Sequence, residues 1–185
     1  MKRNFDLVFC LLALFILLIP ILIIYLLIKI TSPGKALYWS KRIGKNNQIF
    51  LMPKFRSMYE ETPELATDLL EDSQNYITKL GRFLRKTSLD ELPQIWNIIK
   101  GEMSFVGPRP ALYNQHDLIK MRTEKNIHLL TPGLTGWAQV NGRDNISSIE
   151  KVNYDFEYLN KNSIYFDIKI IALTVMKVAK KEDIL

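Results

Sequence analysis

Cysteine and histidine are nearly missing from this 185-residue sequence, which has one of the former and two of the latter. Cys10 lies inside an apolar run, so no disulfide framework can be built within the chain. Cys10, His116 and His128 are also too few for a zinc centre. No glycine-rich P-loop and no G-x-G-x-x-G fingerprint occurs, which removes two common phosphate-cradling loops. An Asp-x-Asp pair of the kind many nucleotide-sugar enzymes use for their metal is missing, as is the Gly-x-Ser-x-Gly elbow of a serine triad. Neither a repeat period nor a low-complexity tract is present, so solenoids and disordered tails are excluded.

What is abundant is positive charge and apolar sequence. A net charge of +6 calls for anionic partners, and on charge alone phosphate groups, anionic lipid heads and nucleic acid are all open. The aromatic stacking motifs of RNA and single-strand binders are lacking, so no nucleic acid is expected. From Leu7 to Ile30 the chain is almost continuously apolar, long enough for a helix of roughly 36 Å, and no small-residue cleavage pattern follows it. Pro20 near its middle predicts a break into two half-helices of roughly 20 and 15 Å, too short to cross singly. Lys2 and Arg3 precede the run, and Lys35, Lys41, Arg42 and Lys45 follow it, so both ends are expected on the cytoplasmic side. The expected organisation is a re-entrant membrane helix over 1–31 and a cytoplasmic catalytic domain over 32–185.

The remainder reads as α/β, mostly helical with a few short strands. Ile49–Met52 is strand-like and ends at Pro53. Thr62-Pro63 looks like the start of a helix through Leu65, Leu69 and Leu70, and Tyr76–Lys86 is a second helical stretch. Leu92, Ile95, Trp96 and Ile99 recur at helical spacing, with Pro93 in the first turn and Gly101 as C-terminal cap. Met103–Val106 reads as a strand running into the rigid turn Gly107-Pro108-Arg109-Pro110, and Tyr113 to about Lys125 as a helix. Thr131–Gly136 is turn chemistry, and Val140–Arg143 reads as the end of a short strand. Ile170, Ile171, Leu173, Val175 and Val178, alternating with Lys169, Lys177, Lys180 and Lys181, make a basic amphipathic helix suited either to the body's surface or to the membrane interface.

Chemistry concentrates at Asp90-Glu91, just before the helix near Pro93. Backbone N–H groups at a helix start favour negative charge, so both carboxylates are expected ionised, and either can act as nucleophile or magnesium ligand. The bland reading is a capping box made by Ser88 and Glu91. Three arginines on turns supply the context: Arg85, Arg109 between two prolines, and Arg143 after Asn141-Gly142. A guanidinium held by a stiff backbone suits bidentate phosphate binding, and the set points to a pyrophosphate substrate. The residues alone still leave open a membrane-anchored, non-catalytic binding or scaffold protein.

These motifs in order resemble those of the monotopic bacterial sugar transferases, small phosphoglycosyl transferases. The matching stretches are Lys2-Arg3-x-x-Asp6, Lys54–Met58, Thr87–Gln94, Lys100–Pro110 and Pro132–Arg143, so the likeness covers essentially the whole chain. The resemblance implies transfer of a sugar 1-phosphate from a UDP-sugar to polyprenyl (undecaprenyl) phosphate, releasing UMP, as the first step of a surface glycan pathway. Asp90 would carry a covalent phosphosugar and lie near magnesium (Mg2+), with Glu91 as its dyad partner. Arg85, Arg109 and Arg143 would hold phosphate oxygens, with Lys54 and Arg56 as weaker candidates. It further implies the bacterial inner membrane as location, lipid contact, and later glycan-assembly enzymes as partners. The stretches Thr62–Thr78 and Ala111–Gln115 look most like those of capsule and O-antigen initiating enzymes, which leans towards an N-acetylated, 6-deoxy amino sugar. One departure stands out: family members commonly have Ser-Pro at the membrane break, where Ile19-Pro20 here lacks the hydroxyl that would bond a freed carbonyl.

Overall fold

The apolar run forms α1, Lys2–Thr31, the first element of a computed structural model that describes residues 2–60, 62, 73–142 and 146–180. α1 is one element with Pro20 inside it, so the expected break does not interrupt its helical assignment. A proline deletes a single ladder hydrogen bond, and the long apolar helix continues on both sides of that loss. α1 is long and apolar enough to cross a membrane by length and composition.

One stripe of α1 packs against the rest of the chain along its entire length. Asp6, Cys10, Ile24 and Ile28 are buried, and Ala13, Leu14, Leu17 and Ile21 are partly buried between them, a three-and-four spacing that keeps one face inward. The other face is bare, with Phe15 at 87% and Ile30 at 80% exposure. Both ends are also tied by polar contacts. Lys2 pairs with Asp167 and donates to the Tyr158 hydroxyl, while Arg3 donates to the carbonyls of Ile98 and Ile99. Asp6 accepts from the Ser104 hydroxyl at 3.0 Å and from the Phe105 N–H at 3.2 Å. At the far end the Arg56 guanidinium donates to the carbonyl and hydroxyl of Ser32.

The body begins with an antiparallel hairpin of β1, Leu37–Ile43, and β2, Ile49–Phe55. β2 runs on through Pro53, which was expected to end it. The hairpin has only two strands, so a missing N–H on the unpaired side costs the ladder nothing. The helix proposed from Thr62-Pro63 falls mostly outside the described residues. α2, Lys79–Thr87, is capped by the Thr78 hydroxyl, which accepts from the Gly81 N–H. A 3₁₀ turn, Leu89–Gln94, leads into α3, Ile95–Lys100, closed by Gly101 at φ 88°. Pro93 therefore sits in the 3₁₀ turn rather than in the first turn of α3.

β3, Ser104–Val106, pairs in parallel with β4, Gly133–Thr135, and α4, His116–Glu124, lies in the connection between them. The Thr131–Gly136 stretch, read as turn chemistry, thus contains a strand. Val140–Arg143, read as a strand end, instead opens inside the short helix α5, Trp137–Asn141. The chain ends with α6, Ser148–Lys161, started by a Ser147–Glu150 capping box, and α7, Ile164–Lys180. α7 buries Phe166, Asp167 and Ile170 and leaves Tyr165, Ile168, Val175 and Met176 exposed, so part of its apolar surface is not covered by the body. The fold is mostly helical with four short strands among the described residues, and its hydrophobic clusters include α1 residues beside those of the body.

Candidate active site

Asp90 and Glu91 stand on the 3₁₀ turn, which β2 packs against. Ser88 before them is left-handed, with φ 55°, and its side chain makes no capping bond, so the capping box expected with Glu91 does not form. Ser88 instead closes α2, its N–H donating back to the Arg85 carbonyl. That tight reversal between α2 and the 3₁₀ turn turns the two carboxylates towards the hairpin and the Gly107–Pro110 turn.

Glu91 Oε1 accepts from Lys54 Nζ at 2.8 Å and from Arg109 Nη2 at 2.9 Å, with the Glu91 side chain only 13% exposed. Lys54 arrives from β2, and Arg109 from the turn after β3. Burial by itself raises the Glu91 carboxyl, but the Arg109 and Lys54 charges and their hydrogen bonds outweigh it and hold it well below the usual carboxylate range. Asp90, 9% exposed, behaves in the opposite way. Burial pushes its carboxyl above the ordinary value, Lys54 pulls it back, Glu91 adds to the rise, and Arg85 and Arg109 oppose it. No described residue donates a hydrogen bond to Asp90. The helix-start argument, which favoured both charges equally, is thereby corrected: the turn is 3₁₀, and solvent exclusion and neighbouring cations set the two apart. One carboxylate is neutralised by two cations, and the other is left more basic and without a hydrogen-bond donor among the described residues, as suits a nucleophile.

Arg109 owes its place to two close backbone approaches. Gly107 N–H donates to the Thr135 carbonyl and Gly133 N–H to the Pro108 carbonyl, both at 2.9 Å. A Cβ at Gly107, Gly133 or Gly136 would collide with the facing backbone, so the two glycine-containing turns interlock only without side chains. A further support was not anticipated from sequence. Arg122 on α4 donates from Nη1 to the Arg109 carbonyl at 2.8 Å, and from Nε and Nη2 to Asp155 Oδ2 at 3.0 and 2.6 Å. Asp155 is 1% exposed on α6. Its signal was there to find: an acid three residues from both Val152 and Tyr158 lies on the stripe that α6 buries.

Of the sequence candidates, Asp90, Glu91, Lys54 and Arg109 come together, and the Arg85 charge reaches Asp90 from the last turn of α2. Arg56 is buried elsewhere, engaged with Ser32 at the end of α1. Arg143 lies outside the described residues. No cluster of three or more metal-binding side chains occurs among the described residues. The oxygen donors at hand are the two carboxylates, a set that suits magnesium held mainly by substrate phosphates.

From Glu91 and Arg109 a cavity of about 290 Å³ extends between α1 and α7. Its walls are chiefly apolar, including Leu17, Phe105, Ile171 and Val175.

A family model described as bacterial sugar transferase matches residues 1–181. The chain is 39% identical over 185 residues to the UDP-glucose:undecaprenyl-phosphate glucose-1-phosphate transferase of Escherichia coli (strain K12), covering 96% of this chain and 40% of that protein. It is 36% identical over 199 residues to the undecaprenyl-phosphate galactose phosphotransferase of Salmonella typhimurium, covering 98% and 41%. Against the uncharacterized sugar transferase EpsL of Bacillus subtilis it is 39% identical over 186 residues, covering 100% of this chain and 90% of that one. The chain thus spans about two fifths of the length of the first two relatives and nearly all of the third.

Proposed function

The chain belongs to the bacterial sugar transferases, and from that premise we propose that it moves a sugar 1-phosphate from a UDP-sugar to polyprenyl phosphate. The observation that carries this reading is the pairing of a buried Asp90, which takes no hydrogen bond from the described residues, with a Glu91 that holds Lys54 and Arg109 in place, beside an apolar groove and a membrane-type helix.

An Asp90 carboxylate oxygen forms a bond to the sugar-bearing phosphorus. The bond from that phosphorus to the bridging oxygen breaks, and the electron pair leaves with UMP. An oxygen of the polyprenyl phosphate then attacks the same phosphorus, and the aspartate leaves with its electrons. Splitting the transfer lets one set of cations serve two diphosphates in turn. Arg109 and Lys54 stabilise charge on the phosphoryl oxygens, Arg85 adds positive potential at Asp90, and Arg143 is assigned to the phosphates from the motif it ends. Glu91 keeps Arg109 and Lys54 aimed while no substrate is bound. Magnesium, held by Asp90 and the substrate diphosphate, would supply further charge neutralisation.

The same proposal places the body on the cytoplasmic face of the inner membrane, with α1 entering and leaving on that side. Lys2, Arg3 and Asp6 at one end and Ile28 and Ser32 at the other are all bound to one body, an arrangement a simple crossing would break. A single cysteine added before Lys2 tests this, since the native Cys10 is fully buried and silent. Protection from an impermeant reagent in intact spheroplasts supports re-entry; labelling there refutes it.

The activity is tested by UMP release from a panel of UDP-sugars. UDP-glucose and UDP-galactose, after the relatives' names, stand beside the N-acetylated and 6-deoxy amino sugars that the Thr62–Thr78 likeness implies. With donor alone, mass spectrometry should find a phosphosugar on the peptide containing Asp90, and Asp90→Asn should release no UMP. Near-normal turnover by Asp90→Asn would overturn the nucleophile assignment, and a chain inert towards the whole panel would favour a scaffold.

A further inference from the structure

We propose that the groove between α1 and α7 holds the isoprenoid chain of the acceptor, and that its polar end delivers the acceptor phosphate to Asp90. This rests on the transfer reaction above and adds a binding site for one of its two substrates.

The groove is graded in polarity. Ala13 and Leu17 of α1 form one wall, and Ile171, Val175 and Val178 of α7 form the other. Glu91 and Arg109 lie at one end, the same residues that flank Asp90, and Lys177 also lines the cavity. A ligand matching that gradient has a long hydrocarbon body and one compact anionic head. A UDP-sugar does not match it. Its ribose, base and sugar hydroxyls would meet walls that are mainly apolar, where Ser88, Thr135, Gln139 and Thr174 offer fewer partners than water does. A prenyl phosphate gains on both counts, since each buried methylene is worth about fourfold in affinity.

The walls also say where the ligand enters. α1 presents its bare apolar face to lipid along most of its length, and the exposed Val175 and Met176 continue that surface on α7. A chain already in the bilayer can slide in sideways between the two helices, and its phosphate meets the Arg109 guanidinium without the tail leaving hydrocarbon. The donor is then left to approach from the aqueous side, so the two substrates reach Asp90 by different routes.

The test uses the full chain in nanodiscs and two readouts. In the first, a polyprenyl phosphate with a diazirine on an isoprene unit near the phosphate is photolysed, and the labelled peptides are sequenced. Label on Ala13 and Leu17 and on Ile171, Val175 and Val178, competed by plain polyprenyl phosphate but not by phosphatidylglycerol, is the expected result. Label confined to the outer face around Phe15 and Ile19, or competed equally by phosphatidylglycerol, would overturn the proposal and make the groove a site for bulk lipid. In the second, Val175→Trp narrows the slot from an exposed position that the fold tolerates. It should raise the acceptor KM at least about tenfold, the loss of roughly two buried methylenes, while UMP release from donor alone persists. Ile168→Trp, exposed on the same helix but off the groove, should change neither quantity. Equal effects of the two substitutions would refute the site. Competed labelling is independent of chemistry, so a chain that labels as expected but releases no UMP would sink the proposed reaction and leave the groove assignment standing.

Discussion

Replacing Arg122 with methionine should expose how much of the site depends on a side chain that never touches Asp90. Arg122 makes two bonds to Asp155 and one to the Arg109 carbonyl, and Asp155 has almost no contact with water. Methionine keeps most of the packing volume but strands the carboxylate. Removing one member of a buried ion pair costs about 3–5 kcal/mol, which for a chain of this size lowers Tm by roughly 6–20 °C. The loss should depend on pH in a defined direction. Burial raises the Asp155 carboxyl in the fold, with Arg122 opposing. An acid with a raised folded pKa contributes its stability below the unfolded pKa and loses it as pH climbs through the folded one. Removing Arg122 lifts the folded value further, so the deficit should be largest near neutral pH and shrink towards the ordinary carboxylate range. The double variant Arg122→Met, Asp155→Leu removes both charges and should recover stability to within about 2 kcal/mol of the parent. Its turnover should stay down by about 10- to 100-fold, because the Arg109 backbone has lost its tether. Thermal unfolding in nanodiscs across pH, paired with UMP release, measures both. A Tm unchanged in the single variant, or full turnover in the double, would refute the reasoning.

Arg109→Ala should lower turnover by about 10²- to 10³-fold, and Arg109→Lys should restore only part, since an ammonium cannot form the planar fork; equal rates in the two variants would reduce Arg109 to a packing residue. The acid limb of the kcat–pH profile should follow Asp90, which must be ionised to attack. Lys54→Met removes the charge that most lowers its pKa and should move the limb to higher pH, whereas residual activity of Glu91→Gln should show it moved lower; shifts of the same sign would argue against Asp90 as the titrating group. Asp6→Ala strands the Ser104 hydroxyl and the Phe105 N–H and should cost about 1–3 kcal/mol, read by thermal unfolding. A neutral result there would mean that Asp6 adds nothing to the hold of the apolar stripe, Lys2 and Arg3 on α1.

Local chemistry was legible in the sequence where it is encoded within a few residues. The Gly101 cap, the amphipathic α7 and the apolar α1 follow from periodicity and backbone freedom. The site residues Asp90, Glu91, Lys54 and Arg109 were legible through motif resemblance, but their division of labour was not. That one carboxylate would take both cations and the other none depends on packing β2 and the Arg109 turn against the 3₁₀ turn, which no local pattern specifies. β4 was misread because a strand of three residues with two glycines nearby carries turn composition, and only its parallel partner makes it a strand. Pro20 lies inside a single helical element, and how far it bends α1 depends on the packing around it rather than on the local sequence.

The seam between α1 and the body bears on how the protein comes to exist at all. α1 precedes the body in the chain, so it is synthesised and available to lipid first. Cys10 completes one hydrophobic cluster with Met52, Ile98 and Met103, and Ile24 and Ile28 complete another with Phe55 and Leu84. Until α1 is seated, those clusters lack a wall, and a fragment beginning at Ser32 would carry them open to water. Folding of the body is therefore coupled to the seating of α1: a copy whose α1 is drawn away from the body also lacks a wall of its core.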